Sequence, residues 1–279
     1  MVKVTDETQI MTVGAKNDSF SKRCCYNDNT PINRRTLMDA VTTMSLTKKY
    51  QSLIAVDSLN LKISRGELFA LLGVNGAGKT TTVKMLSCLT SPTAGDAVVG
   101  GYSVLTAPLA VRTVIGISPQ ETAVAPNLTV RENLDLMCCF RGFSKDKRKQ
   151  KIRSLTEKFN LQDILHRKTG KLSGGWQRRV SIAMALIGEP SILFLDEPTL
   201  GLDVIARREL WDIIKSLKGQ VTVILTTHYM EEAEALSDRV GIMKDGKLLT
   251  VGTVQQIKEM TGADTFENAF ISIVKDGAQ

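Results

Sequence analysis

The sequence predicts an α/β domain built on a mostly parallel sheet, and three observations carry that prediction. Short continuous apolar runs recur at Leu68–Leu72, Val114–Ile117, Ile192–Leu195 and Val221–Leu225. Such runs, apolar without alternation, are how strands covered on both faces read. Helical patterns separate them, as in Thr80 to Leu89 and Arg207 to Leu217, and strands alternating with helices imply parallel pairing. A glycine-rich loop joins the first run to the first helical pattern.

Residues 1–37 precede this rhythm. They run polar and irregular through KNDSFSKRCCYNDNTPINRR, with no sustained period of 2 or 3.6. They are expected to form a poorly ordered leader, with Met38 as the start of the folded part. Structure is expected from about Ala40. Residues 121–185 hold no convincing strand, and the apolar positions Ile152, Leu155, Phe159, Ile164 and Leu165 read as a helical insertion. Near the end, Val240–Met243 and Leu248-Leu249 flank Asp245-Gly246, which is a hairpin signal. Residues 256–279 are read as a short C-terminal tail, so the main domain is placed at 38–255.

The loop Gly73-Val74-Asn75-Gly76-Ala77-Gly78-Lys79-Thr80 fits G-x-x-x-x-G-K-[ST] and sits between a strand and a helix, the context this motif requires. Its glycines let backbone N–H groups curl around an anion, and the helix N-terminus adds partial positive charge. Gly73, Asn75, Gly76, Ala77, Gly78, Lys79, Thr80 and Thr81 are therefore candidates for binding a nucleotide. Lys79 would reach the β- and γ-phosphates, and the Thr80 hydroxyl would ligate Mg²⁺. GTPases, small kinases and ATPases share this loop.

Asp196-Glu197 closes the apolar strand that ends at Leu195. In an open parallel sheet, ligands bind at that end of the strands. Asp196 is then placed to hold Mg²⁺, and Glu197 to accept a proton from, or orient, an attacking water.

With these residues in hand, a resemblance can be stated. Leu172-Ser173-Gly174-Gly175 resembles the LSGGQ signature of ABC ATPases, with Trp176-Gln177 where the family usually has a glutamine or a variable residue. Gln120 after Ser118-Pro119 resembles the Q-loop, Gly201-Leu202-Asp203 the D-loop, His228 after Thr226-Thr227 the switch histidine, and Tyr50 the A-loop aromatic. Val204 stands where many relatives have proline.

The resemblance covers about residues 40–255. It implies a P-loop NTPase core with a mostly parallel sheet, an antiparallel β subdomain and a helical subdomain at about 121–185. ATP and Mg²⁺ are the implied cofactors. Tyr50 would face adenine; Gln120 would sense Mg²⁺ or the γ-phosphate; His228 would steady the water activated by Glu197. Ser173, Gly174 and Gly175 would contact ATP held by a second ATPase subunit, with Asp203 at the dimer interface.

The same resemblance implies an ATP hydrolase coupled to integral-membrane permease subunits on other chains, at the cytoplasmic face of the cell membrane. The stretch from Ser173 through Leu195 to Trp211 is similar to motors of drug-, antibiotic- or lipid-exporting systems, so export is the expected direction. A non-transport ABC ATPase, for example of the iron–sulfur assembly type, is the alternative.

Composition agrees and excludes little else. Hydrophobic content of 43% with 23% charged residues suits a chain with a buried core. Five cysteines with no C-x-x-C, beside two histidines, argue against a zinc site or a disulfide framework. No stretch approaches the roughly 20 apolar residues of a membrane helix. The net charge of +7 reads as a solvated basic surface, densest at Lys145–Arg153, and no specific nucleic acid is expected.

Overall fold

The computed structural model describes residues 39–276, so the expected leader and the Met38 start lie outside the described residues. Two sheets organise the chain. The larger has six strands in the order β11(Lys247–Gly252)–β10(Arg239–Lys244)–β4(Leu68–Gly73)–β9(Thr222–Thr227)–β8(Ile192–Asp196)–β7(Ile115–Ser118). All neighbours pair in parallel except β11, which returns antiparallel from β10 at the edge. The predicted apolar runs are β4, β7, β8 and β9.

Their lack of alternation has a visible cause. Along β4, Leu68, Ala70 and Leu72 face one hydrophobic core while Phe69 and Leu71 face another. The first core lies toward the helices and the second toward the other sheet. That sheet is antiparallel: β2(Leu53–Leu59), β1(Asp39–Tyr50), β5(Ala94–Val99) and β6(Tyr102–Ser103) lie in order, with β3(Lys62–Ser64) also on β1. The Asp245-Gly246 turn joins β10 to β11, with both residues in the left-handed region (φ 49° and 79°).

Helix α1 (Lys79–Leu86) follows β4, and α2 (Pro108–Val114) precedes β7. The helix read as reaching Leu89 stops earlier, at Leu86, because Cys88 turns left-handed (φ 57°). Residues 121–186 contain helices and turns: α3 (Val130–Phe140), α4 (Lys145–Lys158) and α5 (Gly174–Leu186), without a named strand. Thr129 and Glu132 form a reciprocal capping box that starts α3. Helix α6 (Val204–Lys215) begins three residues before the Arg207 read from sequence, since Asp203 caps it.

Three further helices follow among the described residues: α7 (Met230–Leu236) between β9 and β10, then α8 (Val254–Thr261) and α9 (Phe266–Asp276) after β11. The boundary placed at 255 falls inside α8. Within this stretch residues 256–261 and 266–276 are helical, and Ile257, Phe266 and Ala269 are buried in the helical-side core. Their apolar residues recur at helical spacing, and that stripe finds its partner on the sheet.

Candidate functional site

The carboxyl ends of β4, β8 and β9 converge, and the residues that follow each strand meet there. After Gly73 the loop turns through Gly76 (φ 84°) and Gly78 (φ 99°) into α1. At Gly78 a side chain is refused twice, by its backbone angle and because a Cβ would lie 2.4 Å from the Ala55 carbonyl oxygen. The hairpin turn buttresses the loop, with Gly246 N–H donating to Ala77 O at 3.2 Å and Asp57 N–H to Gly246 O at 2.9 Å. The amides of the first helical turn have no acceptor within their own helix, by geometry, and are free to meet an anion.

Lys79 is 5% exposed and folds back over this loop. Its Nζ donates to Gly73 O at 2.8 Å and Val74 O at 3.1 Å, and lies 3.8 Å from Glu197 Oε1. Burial lowers its pKa, while the charges of Glu197 and Asp196 pull it back up. A cation held among carbonyls in this way is poised for a polyphosphate.

The acidic pair is set by β9. Thr226, itself fully buried, donates its hydroxyl to Asp196 Oδ1. Thr80 Oγ1 donates to the same oxygen at 3.1 Å. Glu197 N–H is accepted by Thr226 O at 3.1 Å and Thr226 Oγ1 at 3.0 Å. Glu197 takes a left-handed backbone (φ 46°), uncommon for a residue with a side chain and costly. Its Oε2 lies 3.1 Å from His228 Nδ1, in an orientation that leaves the nitrogen without a well-aligned hydrogen bond. The Tyr229 ring sits 4.0 Å from that of His228.

Lys79, Thr80, Glu197 and His228 border a cavity of about 700 Å³, lined also by Tyr50, Gln120 and the Asp245-Gly246 turn. That volume suits a small-molecule ligand of nucleotide size. Tyr50 is 44% exposed at its mouth, with Lys48 Nζ 5.0 Å from its ring centroid. Gln120 follows β7 and is held by its own carbonyl: buried Arg178 donates to Pro119 O and Gln120 O, each at 2.5 Å. Thr80 and Asp196 offer a hydroxyl and a carboxylate in contact, a hard oxygen set that fits Mg²⁺, which takes few protein ligands and keeps waters and phosphate oxygens.

Not all predicted residues come together. Tyr50, Asn75 to Thr81, Gln120, Glu197 and His228 line one cavity, with Gly73 and Asp196 bonded to its lysine and threonine. Ser173, Gly174, Gly175 and Asp203 do not border it. Ser173 stands at the N-cap position of α5 without a side-chain capping bond, and it and Gly174 are exposed. Gly175 packs against α6, where a Cβ would lie 3.1 Å from Ala206 Cβ. Asp203 accepts from Ile205 N–H and Ala206 N–H at 2.9 Å, as a helix cap. Val204 and Ile205 beside it are 65% and 73% exposed.

Among the contributors that escaped the sequence reading are Thr226, Arg178 and, at the cavity wall, Leu53 to Ala55, Leu200 and the Asp245-Gly246 turn. Thr226 carried a readable signal, as one of the two hydroxyls that follow Val223-Ile224-Leu225 at the end of β9.

A glycine loop feeding a helix, a buried lysine and an acidic pair at the strand ends define a P-loop nucleotide-binding domain. The chain belongs to the ABC transporter family, whose model matches residues 56–200. It is 41% identical over 230 residues to the doxorubicin resistance ATP-binding protein DrrA of Mycobacterium tuberculosis, spanning 81% of this chain and 69% of that protein. It is 40% identical over 229 residues to the daunorubicin resistance ATP-binding protein DrrA3 of Streptomyces coeruleorubidus, spanning 82% of this chain and 72% of that protein. Among solved structures, a dimeric ATP-binding cassette in a post-hydrolysis state with ADP and phosphate superimposes with a TM-score of 0.70. That cassette is 28% identical, and the match covers 76% of this chain and 98% of that one. The chain is thus an ATP-hydrolysing P-loop ATPase with the ABC cassette fold. No helix among the described residues is long and apolar enough to cross a membrane.

Proposed function

We propose that this ATPase drives export of a substrate through permease subunits on separate chains, as a peripheral subunit at the cytoplasmic face of the membrane. Support for export comes from relatives named for resistance to doxorubicin and daunorubicin. The non-transport alternative has no such support. One observation carries the hydrolytic reading: Glu197 stands between Lys79 (3.8 Å) and His228 (3.1 Å) at the wall of the phosphate-loop cavity.

In this reading Tyr50 faces the adenine, and the amides from Asn75 to Thr81 cradle the phosphates. Lys79 exchanges its loop carbonyls for phosphate oxygens. Thr80 and Asp196, with Gln120 beside them, would hold Mg²⁺, which when bound neutralises charge developing on the phosphates. Glu197 accepts the proton of the attacking water, and His228 steadies that water and the γ-phosphate. Burial of Glu197 and Lys79 in a part-closed cavity strengthens these interactions relative to water.

Ser173, Gly174 and Gly175 present amides at a helix N-terminus away from this chain's own cavity, with Asp203 close by. They serve the ATP of a second subunit, and each site is complete only in a dimer. Dimerisation in the related cassette supports this arrangement.

The test is Glu197→Gln in the full chain. Turnover should fall at least about 100-fold, the scale of general-base removal, while equilibrium ATP binding persists. Unchanged turnover would remove Glu197 from the role. For transport, purification from native membranes should recover hydrophobic partner subunits; recovery of iron–sulfur scaffold proteins instead would overturn that part.

A further inference from the structure

Glu232, in the first turn of α7, is a fully buried carboxylate that the hydrolysis scheme above does not use. Its Oε1 accepts from Trp211 Nε1 on α6 at 3.2 Å. The hydroxyls of Thr227 and Thr199 also face it, and Arg207 of α6 faces it with its charge. Three of these neighbours lead to the site. Thr227 directly precedes His228, and Thr199 lies between Glu197 and Asp203. The Arg207 guanidinium lies 5.0 Å from the centroid of the Tyr229 ring, which is tilted 41° against His228.

A carboxylate withdrawn from water is costly unless partners replace the water, and an apolar side chain would fill a merely packed position more cheaply. Burial raises the Glu232 pKa, and the hydroxyls of Thr227 and Thr199 beside it and the bond from Trp211 oppose that rise. The corner is also not a finished clasp. Glu232 Oε2 and Thr199 Oγ1 are both buried without a well-aligned partner. A small shift of the Thr199 loop would make or break that contact, which is what a coupling element between two segments needs.

We propose that Glu232 is a positioning residue for ATP hydrolysis. It holds His228 in register with Glu197 through Thr227 and the Arg207–Tyr229 stack, and ties that register to the Asp203 loop through Thr199 and Trp211. The proposal rests on reading Glu197 and His228 as the hydrolytic pair.

In the full chain, Glu232→Ala should lower kcat about 10- to 100-fold, the cost of slight misplacement of a reacting group. KM for ATP and equilibrium ATP binding should change by less than about threefold, because ground-state contacts are untouched. Glu232→Gln keeps the shape and the Trp211 bond, and should recover most of the kcat. In a His228→Ala background, Glu232→Ala should cost less than about twofold more, since residues acting as one unit are not additive.

Should Glu232→Ala fail to fold, Arg207→Gln, at a partly exposed position, reads the same link and should lower kcat with KM unchanged. The proposal is overturned by wild-type kcat in a folded Glu232→Ala or in Arg207→Gln, by equal losses for the Gln and Ala variants, or by a full loss persisting in the His228→Ala background. Normal turnover in both Glu197→Gln and His228→Ala would instead mean that the hydrolytic reading itself has failed.

Discussion

Thr226→Val removes one hydroxyl and almost no volume from a fully buried position. That hydroxyl donates to Asp196 Oδ1 and accepts from Glu197 N–H. A hydrogen bond to a charged group contributes about 1.5–3 kcal/mol, and loss of one partner leaves the other desolvated. Two bonds survive the change: Thr80 still donates to Asp196 at 3.1 Å, and Glu197 N–H still reaches Thr226 O at 3.1 Å. The expected loss therefore lies in the lower half of the range, about 1.5–2 kcal/mol. For a domain of this size that lowers Tm by about 3–8 °C.

The effect on turnover should exceed the effect on stability, because the same hydroxyl aims both acids. A decrease of about 10- to 100-fold is expected from misplacing them. Denaturant unfolding followed by tryptophan fluorescence gives the first quantity, and phosphate release the second. Thr226→Ser is the control: it keeps the hydroxyl and gives up a methyl group, about 1 kcal/mol. A valine variant as stable and as active as the serine variant would refute the reasoning.

Three other outcomes follow from the geometry. Gly78→Ala must hold alanine at φ 99° with its Cβ 2.4 Å from a backbone oxygen, so the loop should distort and ATP affinity should fall more than about tenfold in equilibrium binding, the equivalent of about 1.4 kcal/mol or more of strain. Phe266→Ala, at a position 3% exposed, should cost about 3–5 kcal/mol in chemical denaturation; a loss near zero would mean that α9 is not integral to the fold. Burial raises the Glu232 pKa above its ordinary 4.5. The folded state then binds the proton more tightly than the unfolded state, so the contribution is fully present below pH 4.5 and fades as pH rises through the folded value. Glu232→Gln should flatten that decline in unfolding free energy measured from pH 4.5 to neutrality, and an unaltered slope would count against it.

What could be read from the sequence was local. The β4 run, the glycine loop and the Asp196-Glu197 pair each lie within a few consecutive residues, and adjacency in sequence guaranteed adjacency in space. The antiparallel sheet was harder: β1 buries only part of one face, and its register breaks at bulges. The family resemblance implied it where the pattern did not. The site's wall needed contacts that no short window contains, such as Arg178 reaching Pro119 and Gln120, or the Asp245-Gly246 turn pressed against Ala77. At the end of the chain the pattern was present and under-read. Ile257, Phe266 and Ala269 mark a buried helical stripe, and the motifs end before it.

The left-handed backbone of Glu197 separates two optima that usually coincide. Its two bonds to Thr226 hold a carboxylate-bearing residue where glycine would sit without penalty. Asparagine tolerates that conformation better than glutamate, and glycine better still. Selection for folding alone would therefore drift this position toward glycine, with a gain on the order of 1 kcal/mol. A library sorted for thermal resistance should enrich chains that have lost the carboxylate, and one sorted for turnover should restore it.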